Sequence, residues 1–83
     1  MDKELRLVSN IDGIHCFSCV NRITTKLESV GANKVDVDAV QKILKVDFIG
    51  KENDAETYLK AVIELGYKAN KIVVFDPEEL NDL

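Results

Sequence analysis

The sequence predicts an α+β fold in which a four-stranded antiparallel sheet carries two helices on one face. Three observations predict it. Three segments alternate in hydropathy as half-buried strands do and a fourth supplies a last strand, two carry apolar stripes at helical spacing, and glycines punctuate the passages between them.

The first strand is Glu4–Ile11, with Leu5, Leu7 and Ile11 on one side, and Asp12-Gly13 breaks it. From Cys16 to about Val30, the apolar residues Val20, Ile23, Leu27 and Val30 recur at spacings of three, four and three, one stripe along a helix. Gly31 stands where a left-handed helix stop belongs. Lys34–Asp38 alternates again. After the short link Ala39–Lys42, the segment Ile43–Phe48 sets Leu44, Val46 and Phe48 in one phase, so the two strands read as a hairpin.

Asn53 or Asp54 caps a second helix whose buried stripe uses Ala55, Leu59, Val62 and Ile63, and Gly66 ends it. Lys71–Phe75 supplies the last strand. The order strand, helix, strand, strand, helix, strand is the split βαβ, ferredoxin-like arrangement βαββαβ. One core suffices for it, so residues 1–75 form one domain and residues 76–83 an acidic tail, read as a solvated end or a short helical turn.

Composition bounds the function. With 83 residues and 46% apolar content, the chain is a single small folded domain rather than a disordered segment. It has no apolar run near the roughly 20 residues that span a bilayer, which argues against membrane insertion. Its first residues carry both signs of charge and lack a secretory apolar core, so a cytoplasmic location is expected. A net charge of −4 without a basic stripe excludes nucleic acid as a partner but leaves room for a protein with a basic docking face. No general acid–base pair, activated nucleophile, phosphate loop or cofactor fingerprint is visible, and no enzymatic activity is expected.

The chemistry concentrates at Cys16 and Cys19, the only cysteines in the chain. In reducing cytosol such a pair reads as a metal or redox site rather than a structural disulfide, and a bridge across three residues would constrain the unfolded chain very little. The start of a helix favours thiolates, because its unpaired N–H groups present positive potential. Residues three apart on a helix have Cβ atoms about 5–6 Å apart, so both sulfurs can reach one ion. Two thiolates with no evident third or fourth partner suit a soft, low-coordinate ion better than a closed zinc site. A thiol oxidoreductase is the rival from the enzyme class. Such folds set a proline near the cysteine pair, whereas the only proline here is Pro77, and the element order differs.

With the pair placed after the first strand of this order, the chain resembles the heavy-metal-associated domain over roughly Leu5 to Ala69. The resemblance rests on Gly13-Ile14-His15-Cys16-Phe17-Ser18-Cys19, on Val35-Asp36-Val37, and on Glu64-Leu65-Gly66-Tyr67. Members occur as copper chaperones and as N-terminal modules of metal-transporting P-type ATPases. The resemblance implies one Cu(I) held by Cys16 and Cys19, and transfer by ligand exchange to such an ATPase or its N-terminal domain. It also implies a monomer, with a metal-bridged dimer as the alternative. A charged start and an acidic end read as natural termini, which favours a free carrier over an excised module.

The family pattern is usually Gly-Met-x-Cys-x-x-Cys. Here Ile14 replaces the methionine and keeps an apolar anchor beneath the loop. His15 takes the variable position as a solvated loop residue or a third ligand, and in the latter case Zn(II) gains ground; a domain for Zn(II), Cd(II) or Hg(II) is the second reading. Tyr67 falls on the loop that approaches the metal in relatives, either with its hydroxyl near a thiolate or as an aromatic packed at a helix end. Phe17 either joins a docking face or tucks against its own helix.

Overall fold

The computed structural model describes residues 3–14 and 17–77. Strand β1 (Lys3–Asp12) leads to helix α1 (Phe17–Val30), then to strands β2 (Lys34–Asp38) and β3 (Ile43–Gly50). A 3-10 turn (Glu52–Asp54) precedes helix α2 (Ala55–Glu64), and strand β4 (Lys68–Phe75) follows. All pairings are antiparallel and the sheet order is β2-β3-β1-β4, so β1 is a central strand. The expected α+β, ferredoxin-like βαββαβ arrangement is thus the observed one.

Alternation in the strands selects the inner face. Leu5 lies opposite Phe48, Leu7 opposite Val46, and Ser9 opposite Leu44 across β1 and β3. Leu7, Ile11, Leu44, Val46 and Phe48 are essentially inaccessible and meet Ile23 and Leu27 of α1 with Ala55, Tyr58, Leu59 and Val62 of α2. Val20 and Val30, the ends of the α1 stripe, are half-buried. The rings of Phe48 and Tyr58 tilt against each other at 5.0 Å. Ser9 sits in this core because it is in phase with Leu7 and Ile11, and its hydroxyl donates to the Asn10 carbonyl at 2.7 Å. Its hydrogen-bonding capacity is met locally, as a buried hydroxyl requires.

On the opposite face, Arg6 of β1 pairs with its cross-strand neighbour Asp47 of β3. The guanidinium Nε donates to Oδ1 at 2.7 Å and the second nitrogen to Oδ2 at 3.2 Å, a two-pronged bond that holds the arginine fully charged.

Both helices end in the same six-residue motif. The Gly31 N–H donates to Glu28 and the Ala32 N–H to Leu27, while the Gly66 N–H donates to Ile63 and the Tyr67 N–H to Val62. The last carbonyls are therefore satisfied, and the buried Tyr67 meets the buried Val62 beneath the turn.

Three local expectations change. Ile63 is 52% exposed, and Tyr58 and Ala61 join the buried face of α2 in its stead, so that face is centred nearer Tyr58 than the aliphatic spacing suggests. Asp54 occupies the N-cap position of α2, yet its carboxylate reaches back to accept the Lys51 N–H at 2.9 Å rather than forward into the helix. Strand β4 begins at Lys68, three residues before the expected start, because Lys68, Ala69 and Asn70 pair with Asp12, Ile11 and Asn10 of β1. The register then shifts between Val8 and Ser9, leaving Ile72 as an extra residue on β4.

Candidate functional site

Strand β1 ends at Asp12, and the chain turns at Gly13 before α1 opens at Phe17. The turn starts with an aspartate–glycine device: Asp12 Oδ1 accepts the Gly13 N–H at 2.8 Å, and Gly13 adopts a φ of 97°. Ile14 follows and packs, half-buried, against the main core. His15 and Cys16 lie outside the described residues.

Cys19 is the third residue of α1, within its first turn, and half-buried beside the core. The first turn of α1 contains no acidic residue, so nothing in that turn counters the positive potential its N–H groups present to a thiolate. Ser18 is exposed, and Phe17 is 80% exposed. Of the two expectations for Phe17, tucking against its own helix is the one the structure rejects.

Tyr67 reaches this end of the molecule from the far side of the chain. It is 8% exposed and belongs to the core. Its ring borders Gly13 so closely that a Cβ built there would lie 3.6 Å from Tyr67 Cδ1. The tyrosine therefore floors the start of the turn as well as sealing the end of α2. The fold brings Gly13, Ile14, Cys19 and Tyr67 to one end of the sheet–helix sandwich.

Charge at this end centres on Asp12. The Gly13 N–H, and then the Lys42 and Lys68 ammoniums, hold the Asp12 carboxyl below its ordinary value. Lys42 Nζ stands 3.7 Å from Asp12 Oδ1. This cationic neighbour from the β2–β3 link escaped sequence reasoning, since only the strand register brings residue 42 beside residue 12. Among the described residues, no three His, Cys, Asp or Glu side chains converge on one point. No helix among them is long and apolar enough to cross a membrane.

Comparison with known proteins gives a consistent set of likenesses. Residues 8–68 match the heavy-metal-associated domain family. A probable copper-exporting P-type ATPase of Archaeoglobus fulgidus is 32% identical over 68 residues, which cover 82% of this chain and 8% of the ATPase. The copper chaperone CopZ of the same organism is 31% identical over 64 residues, which cover 77% of this chain and 30% of CopZ. The chain thus spans a minor part of both relatives. In three dimensions it resembles the Cu(I)-loaded N-terminal domain of a potential copper-translocating P-type ATPase from Bacillus subtilis. That likeness has a TM-score of 0.77 and 27% identity, and covers 88% of this chain and 92% of the other.

Proposed function

The chain belongs to the heavy-metal-associated domain family, and from that premise we propose that it carries one Cu(I) between Cys16 and Cys19 and hands it on by exchange of thiolate ligands. The observation that carries this reading is the placement of Cys19. Its thiol stands in the first turn of a helix that starts beside an exposed phenylalanine, at an end of the domain where a partner can approach.

Cu(I) is soft and accepts two thiolates, and the reducing cytoplasm proposed as its setting keeps copper in the +1 state. Two thiolates on one monovalent cation leave a net negative site. The N–H groups at the start of α1 offset part of that charge. Transfer begins when a cysteine of the partner, having lost its proton, joins as a third ligand. One of the two original sulfurs then leaves and takes up a proton, and a second such exchange completes the move. Neither copper nor sulfur changes oxidation state. A two-coordinate ion near the surface permits this exchange, whereas a closed four-ligand site would resist it.

The proposed recipient is a metal-transporting P-type ATPase or its N-terminal domain, in keeping with the names of the relatives. The working unit is a monomer, with sulfur sharing between two copies as the alternative. Tyr67, seated against Gly13, would support the turn that presents Cys16, and Ile14 would anchor it.

Anaerobic titration with Cu(I), followed by native mass measurement, tests the proposal. One ion per monomer is expected, and Cys16→Ser and Cys19→Ser should each abolish tight binding. Tight 1:1 binding retained in the double variant would refute the assignment. A competition in which Zn(II) displaces Cu(I), read by thiolate-to-metal absorption, would shift the reading to a divalent cargo and to His15 as a ligand.

A further inference from the structure

The link between β2 and β3 reaches the same end of the sheet as the thiol-bearing turn. Its backbone is organised by Asp38, whose Oδ1 accepts the Val40 and Gln41 N–H groups at 3.0 Å each. The link closes at Lys42, which has a φ of 61° and is the one non-glycine residue with positive φ among the described residues. A lysine is less comfortable there than glycine or asparagine, because its Cβ crowds the following carbonyl. Such a conformation persists where surrounding contacts over-determine it, and those contacts point to its use.

Here the contacts lead to the base of the thiol turn. The Lys42 carbonyl accepts the Ile11 N–H at 3.0 Å, beyond the last β1–β3 pair at Asn10 and Ile43. The Lys42 ammonium faces the Asp12 oxygen that accepts the Gly13 N–H. Three consecutive residues, Ile11, Asp12 and Gly13, are thereby tied directly or through one carboxylate to Lys42. A cleft of about 360 Å3 runs along this staple, lined by Asn10, Asp12, Gln41, Lys42, Lys68 and Asn70.

We propose, building on the Cu(I) reading above, that Lys42 acting through Asp12 is a positioning residue that holds the base of the thiol turn and slows release of the bound ion. A turn whose base is already fixed loses less freedom when two sulfurs close on one ion, so fixing it lengthens the life of the complex.

Lys42→Gly tests this, since glycine accepts the backbone conformation while the ammonium is deleted. Asp12→Asn is its partner variant, because the amide oxygen still accepts the Gly13 N–H while the charge is lost. In metal-free protein, water–amide exchange at Gly13 and Ile14, read by NMR, should quicken about two- to fivefold in each variant, the range expected for loss of an exposed ion pair. The double variant should be no faster than either single one. Loss of Cu(I) from the loaded protein to a chelating dye should quicken by a similar factor, while the thermal midpoint of Lys42→Gly stays level or rises.

Unchanged exchange at Gly13 and Ile14 would overturn the proposal. So would faster exchange throughout the sheet with a lowered midpoint, the mark of a merely structural lysine, and so would faster amide exchange with unchanged Cu(I) release. Failure of the unaltered protein to take up Cu(I) would count against the cargo assignment instead, and amide exchange at Gly13 would then decide whether the staple exists.

Discussion

Replacing Gly13 by alanine isolates the backbone requirement of the thiol turn, because Gly66 provides a matched control. The two glycines have nearly equal φ values, 97° and 102°. A Cβ at Gly13 would rest 3.6 Å from Tyr67 Cδ1 and 4.0 Å from Tyr67 Cα, which is ordinary contact, and one at Gly66 would meet nothing within 4 Å. Neither site penalises the added methyl by collision, so the cost is conformational. Placing an L-residue in left-handed space costs about 1–2 kcal/mol. For a domain of this size each kcal/mol moves the thermal midpoint by about 4–8 °C. Gly13→Ala and Gly66→Ala should therefore each lower the midpoint by about 5–15 °C. Urea unfolding followed by far-ultraviolet circular dichroism should show equal losses for the two variants within about 0.5 kcal/mol, as expected of two similar conformational penalties. A Gly13→Ala protein as stable as the parent would show that the turn is not held in this conformation. A loss at Gly13 far above that at Gly66 would show that the Tyr67 contact, not the backbone, dominates.

Two further outcomes follow from the core. Leu27→Ala should cost about 2–5 kcal/mol by leaving a cavity under α1, whereas Ile63→Ala should stay within about 0.5 kcal/mol; chemical denaturation distinguishes them, and equal costs would contradict the assigned face of α2. Burial, with the Asp54 charge second, pushes the Tyr58 phenol above its ordinary value. The folded state then favours the neutral phenol, so this contribution to stability is complete below about pH 10 and is lost as the pH rises through the higher folded-state value. Tyr58→Phe should accordingly flatten the alkaline fall in stability measured from pH 9 upward on the scale set by the unperturbed phenol at about 10, and an unchanged alkaline slope would argue against it.

Most of the fold was legible because its signals are local. Leu44, Val46 and Phe48 alternate, Ile23 and Leu27 share a helical stripe, and glycine follows each helix where the last carbonyls need closing. The missed features depend on distant partners. Lys68-Ala69-Asn70 has little strand character of its own and becomes β4 only because the end of β1 offers it an edge. Ile63 fits the spacing from Leu59 as well as Val62 does, and the aromatic bulk of Tyr58 decides which side turns inward. Ser9 reads as a surface residue until strand phase is ranked above polarity. At the candidate site, the helix-start position of Cys19 could be inferred from the chain alone. The approach of Tyr67 to this turn was expected only through the family resemblance, and that of Lys42 to Asp12 was not expected at all, since both join segments dozens of residues apart.

The irregular pairing along β4 has a consequence for how the molecule meets others. An eight-residue border strand with open amide groups is a template on which a second sheet could grow. The extra Ile72 breaks the spacing of those groups midway, and Lys68 and Lys71 place positive charge along the same margin. A neighbouring strand finds no continuous row to join. Copies crowded together in solution are thus discouraged from extending the sheet across this margin.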